Sequence, residues 1–171
     1  MAASPSPLAN PKPSTQDNEE VLSTAKGSCL CTVVTFTISG RPFKKLICHC
    51  MSCKKSSGSS FMALNIYETS QLLPDPTLTT NPKIKTYLDT TPHSGNTISR
   101  VFCADCGSRL WIMSPKRPGF ILVHVAVLDV EFNLAGEWRS WKPDREIWCR
   151  WKEEWLDVVG AGEVERFHMG S

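Results

Sequence analysis

Apolar positions in this chain alternate with polar ones over short runs, and Gly, Pro, Ser and Asn break the runs every few residues. Alternation places one set of side chains on one face of an extended segment, so the pattern predicts strands. After Cys31, the stretch TVVTFTI is dominated by β-branched and aromatic residues and predicts a strand closed by the turn Ser39-Gly40-Arg41-Pro42. Phe43 to Cys48 and Phe61 to Tyr67 predict two more, with the small polar stretch Lys54 to Ser60 read as a loop between them. Glu68 to Asn96 carries four prolines and reads as a long irregular excursion with Ile84 to Leu88 as its strand. Thr97 to Phe102 and Leu110 to Met113 follow, and Pro115 and Pro118 precede Phe120 to Leu128. That last run is almost continuously apolar, as a central strand buried on both faces would be. Glu146 to Trp151 predicts a final strand, and Lys152 to Val159 a short helix or irregular closing segment. No repeat and no long amphipathic helix interrupts this pattern, so the class is mainly β.

The ends differ from the middle. Residues 1–24 are rich in Pro, Ser and Asn without apolar periodicity and read as a disordered tail, leaving residues 25–168 as a single domain. With 171 residues, the chain is long enough for one domain with a substantial core. Lys and Arg number 19 against 17 Asp and Glu, a net charge of +2, which argues against a nucleic-acid or membrane-surface partner. No apolar run approaches the roughly 20 residues of a membrane helix, and the opening MAASPSPLANPKPST lacks the basic and apolar regions of a secretory signal. These features predict a cytoplasmic, reducing setting, in which the eight cysteines bind metal rather than form disulfides.

The cysteines carry the candidate chemistry. In Cys48-His49-Cys50-Met51-Ser52-Cys53, an extended segment would point Cys48 and Cys50 the same way, and a turn through Met51 and Ser52 would bring Cys53 to them. Three converging thiolates make a zinc seat whose fourth position is left for water or substrate. Cys103-x-x-Cys106-Gly107 has the spacing of a zinc knuckle, and Cys29-x-Cys31 would complete a closed structural site. A ribbon pairing Cys50-x-x-Cys53 with Cys103-x-x-Cys106 satisfies the spacing equally well and leaves no open position. His49 should face away from its flanking cysteines, towards a hydrogen bond. His124 reads as a satisfied core histidine, His93 and His168 as loop and tail residues, and Cys149 as a buried inert thiol. Five of the six tryptophans fall between Trp138 and Trp155 and would close a core.

Taken in order, Gly27-Ser-Cys29-Leu-Cys31, Cys48-His-Cys50-Met-Ser-Cys53-Lys-Lys-Ser-Ser-Gly58 and Phe102-Cys-Ala-Asp-Cys106-Gly107-Ser108 resemble the glutathione-dependent formaldehyde-activating enzyme family, which also includes centromere protein V. The resemblance runs from about Gly27 to Trp155. It implies a β-tent of small antiparallel sheets pinned by zinc, with few or no long helices. It also implies two zinc ions per chain: a structural one on Cys29, Cys31, Cys103 and Cys106, and a catalytic one on Cys48, Cys50 and Cys53. Members often carry Gly after the second cysteine, where this chain has Thr32. The implied activity is a zinc-dependent carbon–sulfur lyase or synthase acting on an adduct of glutathione, a co-substrate, with an aldehyde. Lys54 and Lys55 would receive a glutathione carboxylate, Ser57 and Gly58 would add backbone N–H groups, and His49 is a further candidate contact. Two alternatives stand beside it: hydrolysis, elimination or rearrangement of another small molecule at the same zinc, and a non-catalytic zinc-stapled binding module. The chain is expected as a monomer or homodimer.

Overall fold

A computed structural model describes residues 24–73, 81–129, 141–156 and 164–169. Its elements in chain order are β1 (Thr24–Ser28), β2 (Thr35–Ser39), β3 (Lys44–Cys48), α1 (Met51–Ser57), β4 (Met62–Glu68), β5 (Leu72–Leu73), β6 (Ile84–Asp89), β7 (Ile98–Cys103), β8 (Arg109–Met113), β9 (Phe120–His124), β10 (Arg145–Ile147) and β11 (Glu165–Arg166). The tail expected over residues 1–24 lies outside the described residues except for Thr24, which opens β1. Among the described residues no helix is long and apolar enough to cross a membrane.

β1, β2 and β5 form a small antiparallel sheet, and the other strands form a larger one in the order β11-β10-β3-β4-β9-β8-β7-β6. The fold is mainly β, as the alternation predicts. Pairing in the larger sheet is antiparallel from β3 to β6, whereas β10 runs parallel to β3 and to β11. β4 and β9 occupy the interior, and β4 is buried along most of its length.

Two apolar clusters lie on opposite faces of the large sheet. One joins it to the small sheet through Phe36, Ile38, Tyr67, Val101, Trp111 and Val123, with the Phe36 and Trp111 rings edge to face at 5.5 Å. Each such ring or branched side chain taken from water contributes about 1.5–3 kcal/mol. Gly27 pairs with Phe36 across β1 and β2, and a Cβ there would stand 2.3 Å from the Phe36 ring and 2.8 Å from the Val127 carbonyl oxygen. Only glycine lets the ring close over that strand. The second cluster contains Leu46, Met62, Leu64, Ile66, Ile112 and Trp148, and it also takes in Cys48, Cys50 and Cys53.

Four expectations change. The stretch after Cys50 is a helix rather than a polar loop, because Cys50 Sγ caps it by accepting the Cys53 N–H at 3.3 Å and Gly58 ends it in the left-handed region at φ 65°. A helix this short is marginal on propensity and is held by its contacts. β9 stops at His124 and gives way to a 3-10 turn over Val125–Val127, with Leu128 bridging to Gly27. β10 ends at Ile147, since Trp148 turns into the left-handed region at φ 61° and starts another 3-10 turn. Within the excursion expected over 68–96, a 3-10 turn at Thr69–Gln71 and strands β5 and β6 replace much of the irregular chain, while residues 74–80 lie outside the described residues.

Candidate metal centres and the cavity beside them

The cysteines gather as two groups. The sulfurs of Cys29, Cys31, Cys103 and Cys106, the tetrad, lie within 4.8 Å of one another, and so do those of Cys48, Cys50 and Cys53, the trio. The ribbon pairing of Cys50 and Cys53 with Cys103 and Cys106 does not occur. In the tetrad Cys29 and Cys31 Sγ stand 3.5 Å apart and Cys31 and Cys103 Sγ 3.8 Å apart. Thiolates about 2.3 Å from a tetrahedral zinc would be about 3.8 Å from each other, whereas a disulfide needs about 2.05 Å. All eight cysteines are free.

Two tight turns build the tetrad. In the first, the Thr32 N–H donates to the Cys29 carbonyl at 2.9 Å, and Cys29 Sγ accepts the Val34 N–H at 3.3 Å. Thr32 sits at φ 60°, a conformation glycine adopts far more easily than a β-branched residue. In the second, Gly107 at φ 73° donates to the Cys103 carbonyl at 2.9 Å. Ser108 ties the turns together: its hydroxyl accepts the Leu30 N–H at 2.9 Å and stands 3.2 Å from Cys106 Sγ. The Ser108 hydroxyl and backbone N–H hold the Cys106 thiol down to about 5.

The trio is assembled by the end of β3, the helix cap and the first helical turn, and all three sulfurs are buried. Cys50 and Cys53 push the Cys48 thiol up, while Cys48 and Cys53 hold Cys50 down to about 3. The sulfurs thus compete for charge, and all three can be thiolates together only with a cation among them. Donor type, spacing and charge therefore suit a thiophilic metal at both groups.

Two charged groups near the trio carry no local sequence signal. Arg100 is buried, donates through Nε and Nη2 to Asp89 Oδ2 at 2.9 Å each, reaches Ser56 Oγ at 3.4 Å, and acts electrostatically on Cys50 and Cys53. Glu146 is fully buried, with Oε2 at 3.0 Å from His49 Nε2 and 2.9 Å from Lys152 Nζ, and Oε1 at 3.6 Å from Arg166 Nε. Burial opposes its charge, but Lys152 and His49 hold its carboxyl below the ordinary range. His49 thus points away from the cysteines as expected, its backbone N–H is fixed on the Ile147 carbonyl at 3.1 Å, and burial pushes its ring below the usual value. Cys149 Sγ lies near this pair, but Lys152 and Arg166 already neutralise the carboxylate, which disfavours a metal there. Cys149 is half-buried rather than buried as expected, and what burial it has pushes its thiol up.

The expected substrate contacts lie on or beside α1. Lys54 Nζ is engaged by the Trp151 carbonyl and by Glu153 Oε1 at 2.6 Å, and Lys55 is exposed. The Gly58 and Ser59 N–H groups both go to the Lys54 carbonyl, since the stretch is a helix end rather than an open loop. Ser57 Oγ donates to the Cys53 carbonyl at 2.8 Å. Trp148 stacks on Trp151 at 5.2 Å, and His93 meets Trp151 edge-on at 4.6 Å. A cavity of about 660 Å³ opens beyond the C-terminal end of α1, between it and the first tetrad turn. Ser57, Met62, Arg109, His124 and Asp129 line it. His124 is buried as predicted and lines this cavity.

The profile of the family described as glutathione-dependent formaldehyde-activating enzyme matches residues 24–151. A protein of Halomonas elongata named "Putative glutathione-dependent formaldehyde-activating enzyme" is 27% identical over 147 residues, covering 85% of this chain and 87% of that protein. The match spans both cysteine groups and the strands that hold them, and this chain belongs to the glutathione-dependent formaldehyde-activating enzyme family.

Proposed function

We propose that the chain joins the thiol of glutathione to formaldehyde or another small aldehyde, and releases the aldehyde in reverse as a carbon–sulfur lyase. The observation that carries this reading is the trio: three buried sulfurs converge, and no fourth Cys, His, Asp or Glu among the described residues joins them. Cys48, Cys50 and Cys53 would hold a zinc ion, which supplies positive charge beside an incoming thiol and favours its thiolate at neutral pH. Cys29, Cys31, Cys103 and Cys106 would hold a second zinc that fastens the two turns and adds directly to folding free energy.

In the forward direction the thiolate sulfur attacks the carbonyl carbon. The C=O π pair moves to oxygen, which takes a proton, so one S–H is exchanged for one S–C and one O–H bond. Arg100 stabilises negative charge on Cys50 and Cys53, and Asp89 and Ser56 fix its orientation. The buried setting of the trio keeps bulk water from the sulfur. The thiolate ligands require a reducing compartment, which fits the cytoplasm.

A second reading keeps the metal and changes the substrate. Trp148 belongs to the same buried cluster as the trio, and its φ of 61° is costly for a bulky residue. Apolar surface of that kind has no use for a one-carbon aldehyde but would suit a larger adduct.

Metal content together with exchange NMR on glutathione and formaldehyde tests the proposal. Wild type should hold two zinc ions and accelerate adduct formation. Cys50→Ser should lose one zinc and the activity while keeping the fold, and Cys106→Ser should fail to fold. Full activity in Cys50→Ser would end the proposal.

A further inference from the structure

We propose that the cavity at the end of α1 seats a carboxylate of the peptide thiol, with Arg109 as its clamp and His124 as a hydrogen-bond partner. The inference rests on the glutathione reading and names where that substrate is recognised. Lys54, the cation nearest the trio in sequence, already holds Glu153. Arg100 is likewise paired, with Asp89. Arg109 differs: its Nε donates to the Ser56 carbonyl at 2.8 Å and its guanidinium lies 5.4 Å over the Phe102 ring, but no carboxylate meets it among the described residues. That leaves its terminal amino groups for a ligand, and a guanidinium fork matches a carboxylate with two parallel bonds.

His124 is the second observation. It is only 8% exposed, and it lines the same cavity as Arg109. A neutral imidazole there offers one N–H donor to an anion. The cavity's acid, Asp129, accepts from Ser28 Oγ at 2.7 Å and stands where an ammonium would be welcome. A tripeptide bearing two carboxylates and one ammonium therefore finds both signs of charge there. The Ser57, Ser59 and Ser108 hydroxyls add partners for its amides. The volume of about 660 Å³ lies in the range of small-molecule sites.

Reach is consistent with a thiol at the trio. Arg109 is fixed on Ser56, which follows Cys53 by less than one helical turn, a rise of roughly 4.5 Å. An extended tripeptide spans about 10 Å. Met62 both lines the cavity and packs in the trio's cluster, and its flexible side chain is the element between them.

The experiment compares glutathione with its diethyl ester, which keeps the thiol and loses both negative charges. For Arg109→Gln the glutathione KM should rise about ten-fold or more with kcat nearly unchanged. Arg109→Lys should recover part of that loss. The ester should bind wild type about as weakly as glutathione binds Arg109→Gln, and should bind both proteins alike. His124→Phe, which leaves the Arg109–Ser56 bond in place, should raise the same KM roughly three-fold. Equal KM for acid and ester in wild type, or an unchanged KM in folded Arg109→Gln holding two zinc ions, overturns the assignment. If wild type fails to accelerate the glutathione reaction, the function is refuted separately, and quenching of tryptophan fluorescence by glutathione and by the ester still decides the cavity.

Discussion

Glu146→Gln tests how the trio is held. The amide keeps the shape of the side chain but removes the negative charge that meets His49 at 3.0 Å, Lys152 at 2.9 Å and Arg166 at 3.6 Å. Breaking a fully buried ionic set by removing one partner costs about 3–5 kcal/mol. The Lys152 and Arg166 side chains are 18% and 34% exposed and can turn part of their charge to water, which places the loss near the lower end. A loss of about 3 kcal/mol in a chain of this length lowers Tm by roughly 10 °C. A second, more specific effect follows from His49. It lies between two trio ligands, and without its fixed acceptor the peptide planes that aim Cys48 and Cys50 lose a constraint. Loss of such a supporting bond typically weakens metal affinity about 10–100-fold. Chelator competition should therefore show one zinc released more easily, with the tetrad zinc unaffected. If Glu146→Gln lowers Tm but leaves both affinities at wild-type values, the pair is a structural strut only.

Two further outcomes are open to measurement. Burial, with Arg109 and Arg100 adding to it, lowers His124 from 6.5 to about 4, so the unfolded chain takes up this proton first as pH falls. The associated stability is complete above pH 6.5 and is lost between 6.5 and about 4, in total about 3 kcal/mol at ~1.4 kcal/mol per pH unit. In denaturant titrations across that range, His124→Gln should lose stability less steeply than wild type; parallel curves would remove the argument. Thr32→Gly relieves a β-branched residue from φ 60°, worth about 1–2 kcal/mol. Against that stand the entropy of glycine and the loss of the Thr32 hydroxyl bond to the Cys31 carbonyl at 2.7 Å. These terms nearly cancel, so Tm should stay within about 3 °C of wild type, and a clearly larger fall would show that the turn is not strained.

Local pattern made the strands legible, because alternation and β-branching act within a few residues. Cys103-x-x-Cys106-Gly107 was legible for the same reason: the turn that joins the two sulfurs is local. The helix after Cys50 was not, since its cap is a sulfur and four of its seven residues, three serines and a cysteine, are weaker helix formers of loop-like composition. Lys54 looked free in sequence because Glu153, its partner, is 99 residues away. Arg109, Arg100 and Glu146 left no local trace at all, because their partners are distant in sequence: β-pairing brings Ile147 beside Cys48, and both arginines reach Ser56 on α1. Trp148 was misread as strand for a related reason: backbone N–H groups at Trp148, Cys149 and Arg150 are held by the carbonyls of Met169, Phe167 and His168, a tertiary contact that outweighs its propensity.

The same pairings explain why the trio lacks a fourth protein donor among the described residues. The pleat at the end of β3 sends Cys48 and Cys50 to one side and His49 to the other. His49 could rejoin them only by abandoning a buried carboxylate and a backbone bond to Ile147. Cys149, the remaining thiol, lies on that far side, next to His49 and Glu146. Arg100, which acts electrostatically on Cys50 and Cys53, is a cation and repels a metal rather than binding it. A metal seated on the trio must therefore complete its coordination with something that is not part of the described chain. An open position of that kind is what the proposed reaction needs, whereas the tetrad already offers four sulfurs and suits a fastening.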